Sequence, residues 1–144
     1  MEGAMAMKKP SEKGQSIALF ALMLPLMAVF ILGLFDYMVT SARTMEAVAV
    51  ADLSAHAGAQ EIYLLPNGKI LSDVPSAERV AADYFRMQTP PYVQLVGVVC
   101  GDTVERPFCR VSVRVNSAGY LFASRPITVH AVGYLAWGIT REKH

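Results

Sequence analysis

IALFALMLPLMAVFILGLF, residues 17–35, contains no charged side chain. Its length is close to the about 20 apolar residues that a helix needs to cross a bilayer. A cleaved signal peptide is the alternative, but its apolar core is shorter, about 7–15 residues, and ends at a small-residue cleavage site. Here the run continues as Asp36-Tyr37-Met38-Val39. We therefore predict a retained transmembrane helix at residues 15–36, in contact with membrane lipid.

The charges on either side of this run predict its orientation. Lys8, Lys9 and Lys13 precede it, whereas Asp36 follows it directly and the next cation is Arg43. An excess of lysine and arginine marks the cytoplasmic side. The sequence thus predicts a single-pass protein of the cell membrane. Its cytoplasmic tail comprises residues 1–14 and its extracytoplasmic domain comprises residues 37–144. The net charge of +1 gives no reason to expect a nucleic-acid partner.

The two cysteines fit an extracytoplasmic domain. Cys100 and Cys109 are nine positions apart, with Gly101 and Pro107 between them. Flanking strands would bring their Cα atoms near the usual disulfide separation of about 5.5 Å. Outside the cytoplasm such a pair can stay oxidised. We predict a disulfide; the alternative is two buried free thiols, and a metal site would need further ligands that are not spaced nearby.

The helix is predicted to continue beyond the membrane. From Tyr37 to Leu64 the chain has no proline and is rich in alanine, the best helix former. We expect one helix from about Gln15 to about Leu65, ended by the turn at residues 66–68 and kinked at Pro25. Helical spacing draws one apolar stripe, which we expect to be buried by a partner or by the protein's own sheet. The stripe comprises Met38, Ala42, Met45, Ala49 and Leu53.

The remaining chain predicts a second helix and a small sheet. Ser76 is the expected N-cap of an amphipathic helix at residues 77–87, with Val80, Tyr84 and Met87 on one face. Three strand-like runs follow at residues 92–99, 108–115 and 127–137. The second run alternates valine and cysteine with arginine and serine, as a sheet with one wet face does. The predicted fold class is α+β, with about three antiparallel strands.

Residues 14–25, GQSIALFALMLP, resemble the N-terminal segment of TadE/TadG-like proteins of the Flp (tight adherence) pilus system, a pilin-like family. Residues 20–25 match the Phe-Ala-Leu-x-Leu-Pro part of its pattern one by one, and residues 51–61 resemble its Ala/Asp-rich segment. The resemblance covers residues 14–61. It implies a pilin-like architecture and a structural or assembly role within a homo- or hetero-oligomeric complex.

The resemblance also implies a possible processing site at Gly14. In pilin-like proteins an acidic residue usually stands five places after the processing glycine and supports assembly. Leu19 occupies that place here. The sequence therefore predicts that Gly14 mostly escapes cleavage.

No catalytic or cofactor site is predicted. Asp52 and His56 are i, i+4 neighbours, but together with Ser54 they lie on one helix and cannot converge as a nucleophilic triad must. His130 has no partner at ligand spacing, and the glycines form no phosphate-binding loop. We therefore expect a protein that is not an enzyme and that binds no metal and no cofactor.

Two functional hypotheses remain open. The first is a structural or assembly component of a pilus; the second is an accessory subunit that clamps or stabilises a larger membrane complex. In both, other membrane proteins contact the transmembrane helix and the outer domain. Pro25 and Gly33 are the expected kink and packing positions of that helix, because small residues allow close helix contacts in lipid. Tyr37 and Trp137 are candidate aromatic anchors, and a position in the core or in a protein interface is the alternative for Trp137.

Overall fold

One helix dominates the molecule. In the computed structural model, which describes residues 12–104, 106–116, 119–121 and 125–136, helix α1 spans Glu12–Ala59, 48 residues. At about 1.5 Å per residue it is about 72 Å long. It includes Pro25 without an interruption of the helix; a kink at this position remains a prediction. The prediction of one long N-terminal helix that contains the apolar run is confirmed.

The predicted end of this helix near Leu65 is wrong. After α1 ends at Ala59, the chain forms a small antiparallel hairpin of β1 (Ile62–Leu64) and β2 (Ile70–Ser72). The turn is closed by Gly68, whose φ of 78° suits glycine, and by a hydrogen bond from Leu65 N to Lys69 O of 2.9 Å. The β-branched and aromatic residues of β1 favour a strand once a partner strand is available, which helix propensity alone did not reveal.

Helix α2 spans Val74–Gln88, so it begins earlier than predicted. Its N-cap is Asp73, not Ser76, and Pro75 lies in the first turn, where its missing N–H has no helical acceptor to lose. The face predicted from Val80, Tyr84 and Met87 is also wrong, because Met87 is exposed. The helix instead buries Ala77, Ala81 and Phe85.

Three longer strands form the predicted antiparallel sheet. They are β3 (Val93–Asp102), β4 (Pro107–Asn116) and β5 (Pro126–Tyr134), in the order β3-β4-β5. The expected alternation in the central strand is confirmed: Arg110 and Arg114 are exposed on one face. The fully buried residues of the other face are Cys109, Val111, Val113 and Val115. The observed fold class is α+β, as predicted.

The outer part of α1 lies against the buried face of this sheet. The residues that it buries are mostly small: Ala47, Val50, Ala51, Ser54, Ala55 and Ala59. A Cβ atom built on Gly133 of β5 would lie 2.5 Å from the backbone carbon of Ala55, so helix and strand are in direct backbone contact there. We call the part of the described chain from Asp36 onward the head.

The predicted apolar stripe is not buried by the protein's own sheet. Met38, Met45 and Leu53 are all exposed, because they lie on the side of α1 that faces away from the sheet. That half of the expectation is wrong. That a partner buries this stripe remains a prediction.

Candidate functional site: the exposed side of helix α1

The apolar N-terminal part of α1 has no cover within the described chain. The large side chains from Ile17 to Phe35 are exposed, and Phe20, for example, is 72% exposed. The most apolar 18 residues of the helix have a mean hydropathy of 2.7, and none of them is buried. Within the part of the chain that the structure describes, this one helix is long and apolar enough to cross a membrane. An apolar surface of this extent needs lipid or another protein to cover it.

The exposed apolar surface continues beyond the predicted span. We call this continuation the outer stripe: Tyr37, Met38, Met45, Val48 and Ala49. Met45 is 70% exposed, and a shallow apolar groove follows this side of the helix from Tyr37 to Asp52. Apolar side chains are therefore presented along most of α1, on the side that the sheet does not contact.

Asp36 marks the point where α1 changes from exposed to packed. Its side chain is buried, with the residue 4% exposed. One carboxylate oxygen accepts a hydrogen bond from Tyr120 N at 2.8 Å and the other from Leu121 N at 2.7 Å. Sequence reasoning treated Asp36 only as a charge that follows the span. The hydrogen bonds to a segment 84 and 85 positions away could not be read from local sequence.

A second polar contact joins α1 to Tyr92, the residue directly before β3. The Tyr92 hydroxyl donates a hydrogen bond to the Glu46 carboxylate, and this bond raises the pKa of Tyr92 above the usual tyrosine value. The Arg43 guanidinium lies 4.8 Å from the centre of the Tyr92 ring. Asp36 and Glu46 thus connect α1 to the rest of the head at two levels, so the outer stripe has a defined orientation relative to the sheet.

The predicted site residues lie at separate places. Gly14 is in the first turn of α1, Pro25 is inside the helix, and Gly33 lies one turn before the head. The cysteine pair is in the sheet. Trp137 lies outside the described residues. The structure therefore does not bring these positions together in one pocket. They lie either along α1 or in the sheet that packs against it.

The two cysteines are directly opposite each other in the β3–β4 pair. Their Cα atoms are 4.0 Å apart and their sulfur atoms are at bonding distance. The pairing predicted from their spacing is therefore geometrically satisfied.

We expect Cys100 and Cys109 to be oxidised in the native protein. A loop this short is worth about 2–3 kcal/mol of unfolding free energy in the chain-entropy model. Mass spectrometry after thiol-reactive labelling of unreduced protein should find neither cysteine modified, and reduction should expose both. Labelling of both without reduction would contradict the prediction.

The polar clusters that were considered for catalysis remain apart. His56 Nε2 and Asp52 Oδ1 are 3.7 Å apart on the exposed side of α1, whereas the buried Ser54 hydroxyl donates to Val50 O at 2.7 Å. Ser54 therefore faces the sheet and not the histidine. Ser112 Oγ and His130 Nδ1 are 2.8 Å apart on the outer side of the sheet. Among the described residues, no group of three or more histidine, cysteine, aspartate or glutamate side chains is placed to hold a metal ion.

An exposed, apolar N-terminal helix that packs its outer half against a small antiparallel sheet defines the class: an α+β protein with one long helix that the sheet covers only in part. Comparison with known families agrees with the resemblance seen in the sequence. Residues 14–61 match the model of the Flp pilus-assembly TadE/G-like family. The match begins in the first turn of α1 and ends just beyond Ala59, so it covers nearly all of α1. No curated protein and no solved structure matches the chain.

The family match sharpens the prediction for Gly14, which lies at its first position. We expect Gly14 to remain attached to Gln15 in most molecules, because Leu19 stands where the resemblance to pilin-like proteins implies an acidic residue. Intact-mass analysis of protein purified from its native membrane checks this. A main species that begins at Gln15 would show that processing occurs despite Leu19; a Leu19→Glu variant, expected to be cleaved more, serves as the comparison.

Proposed function

We propose that this protein is a single-pass, pilin-like structural or assembly component of a TadE/G-type pilus system, without enzymatic activity. The observation that carries the proposal is the exposed apolar side of α1, within the segment that matches the pilus-assembly family. If the protein acted as a monomer, no other protein would cover the exposed apolar side chains of the span and of the outer stripe. The match of residues 14–61 to a pilus-assembly family supports a place in a multi-protein assembly.

The proposed arrangement places residues 1–14 in the cytoplasm, residues 15–36 in the membrane and residues 37–144 outside. The lysines at positions 8, 9 and 13 support this orientation. The paired cysteines support an oxidising environment for the head. The burial of Asp36, directly after the exposed apolar stretch, supports a boundary between membrane and head at this residue.

A second candidate function is a non-catalytic accessory subunit that stabilises a different membrane complex. One observation favours it: Leu19 stands where pilin-like proteins usually carry the acidic residue that supports filament assembly. In this alternative α1 keeps its anchoring and packing roles, but its partners are not pilus proteins.

Co-purification distinguishes the two. The full chain, tagged at its C-terminus, would be extracted from the native membrane in mild detergent, and the retained proteins identified by mass spectrometry. The pilus proposal predicts components of a pilus or secretion machinery. A stable, unrelated membrane complex would support the accessory subunit instead, and recovery of the chain by itself would contradict both. A reporter at His144 that is active only in the cytoplasm would overturn the orientation.

A further inference from the structure

Residues 119–121, which follow β4 and precede β5, lie beside the membrane end of α1. Asp36, the first buried residue of the helix, accepts hydrogen bonds from Tyr120 N and Leu121 N, at 2.8 and 2.7 Å. The rings of Phe35 and Tyr120 are also in contact, with centroids 6.1 Å apart and planes tilted by 56°. Tyr120 and Leu121 are therefore held at the level of the last residue of the apolar run.

The length of the apolar run sets that level relative to a bilayer. A helix from Ile17 to Phe35 is about 28 Å long, which nearly equals the hydrocarbon thickness of about 30 Å. If the run spans the membrane, Phe35 lies at the boundary between hydrocarbon and headgroups. The contacts with Asp36 and Phe35 place Tyr120 and Leu121 at the same boundary.

The two side chains are exposed despite these contacts. Tyr120 is 75% exposed and Leu121 is 41% exposed, whereas their backbone N–H groups are bound by Asp36. This combination suits a membrane surface, because the two backbone N–H groups are already satisfied and the exposed side chains are apolar or amphipathic. Tyrosine is enriched at membrane interfaces for its apolar ring and polar hydroxyl.

We propose that Tyr120 and Leu121 form a second membrane contact, which inserts into the headgroup region of the bilayer beside α1. The occupant of this surface is lipid, since the surface continues directly from the exposed apolar surface of the span. The contact fixes the tilt and rotation of the head on the membrane, and therefore the direction in which the outer stripe is presented. The inference rests on the proposed membrane insertion of residues 15–36.

Depth-dependent fluorescence quenching tests the contact in the full chain. The protein carries one tryptophan, so a Trp137→Phe background allows single reporters. Tyr120→Trp is the test position and Tyr134→Trp is the matched control. Tyr134 is also an exposed tyrosine, but it lies at the C-terminal end of β5, whereas Tyr120 precedes the N-terminal end of that strand. Phe30→Trp, inside the apolar run, independently reports insertion of the span. Each variant is reconstituted in phosphatidylcholine–phosphatidylglycerol vesicles with lipids that carry quenchers at shallow or deep positions.

We expect deep quenching at position 30, shallow quenching and a blue-shifted emission at position 120, and no quenching at position 134. Quenching at position 30 with none at position 120 would overturn the membrane contact and leave the proposed anchoring intact. A blue shift at position 120 without quenching would also overturn it, and would indicate a second copy of the chain at this surface. Absence of quenching at position 30 would refute the span itself and the contact with it.

Discussion

Gly133→Ala is expected to destabilise the head strongly. A Cβ atom at this position would lie 2.5 Å from both Ala55 C and His56 N, which are backbone atoms of a helix and cannot rotate away. Helix and sheet would have to separate, and the separation would loosen the whole buried layer. Overpacking usually costs about 1–3 kcal/mol; because the obstacle here is backbone, we expect a loss of about 3 kcal/mol or more.

Thermal unfolding in detergent micelles, followed by circular dichroism, measures this effect on the full chain. A loss of that size lowers the Tm of a domain this large by on the order of 10 °C. Gly97→Ala is the matched control: it is also a strand glycine, but an added Cβ meets nothing within 4 Å. The control should leave the Tm nearly unchanged. Equal effects of the two substitutions would show that close packing of α1 on β5 is not what Gly133 provides.

Replacement of residues 17–35 by polyleucine is expected to keep the protein in the membrane but release it from its complex. Polyleucine retains the apolarity that anchoring requires. It removes Pro25 and the small residues, including Gly33, which allow close helix contacts in lipid. We expect the yield of co-purified partners to fall by on the order of tenfold, a change in binding free energy of about 1.4 kcal/mol.

A second variant locates the recognition surface outside the membrane. Met45→Lys places a charge on the outer stripe, and because Met45 is exposed, the fold of the head should not change. Arg114→Lys, on the exposed side of the sheet, is the charge-conserving control. Loss of partners with polyleucine alone assigns recognition to the span, and loss with Met45→Lys assigns it to the outer stripe. Equal yields from both variants and the native protein would leave α1 as an anchor only.

Several features of the fold follow from local sequence. An apolar run without charges is recognisable by itself, because crossing a bilayer requires length and apolarity and no partner of known position. The alternation along β4 is equally local, since successive side chains of a strand point to opposite faces. The spacing of Cys100 and Cys109 predicted a pairing whose geometry the β3–β4 register satisfies.

The buried face of α1 was decided only by tertiary structure. Helical spacing selected the stripe of large side chains that includes Met38, Met45 and Leu53, and these side chains are exposed. The sheet instead selects the smallest residues. Gly133 brings two backbones together, and at that distance alanine fits where methionine does not.

Long-range hydrogen bonds determined two further features, the hairpin after α1 and the burial of Asp36. Ile62–Leu64 leaves the helical pattern because a partner strand at Ile70–Ser72 is available, and Asp36 becomes buried because two backbone N–H groups from a distant segment reach its carboxylate. The sequence by itself thus determined that the chain has an apolar helix, an alternating sheet and paired cysteines. Only the tertiary structure decided which side of the helix remains free, because that choice depends on how closely two backbones approach.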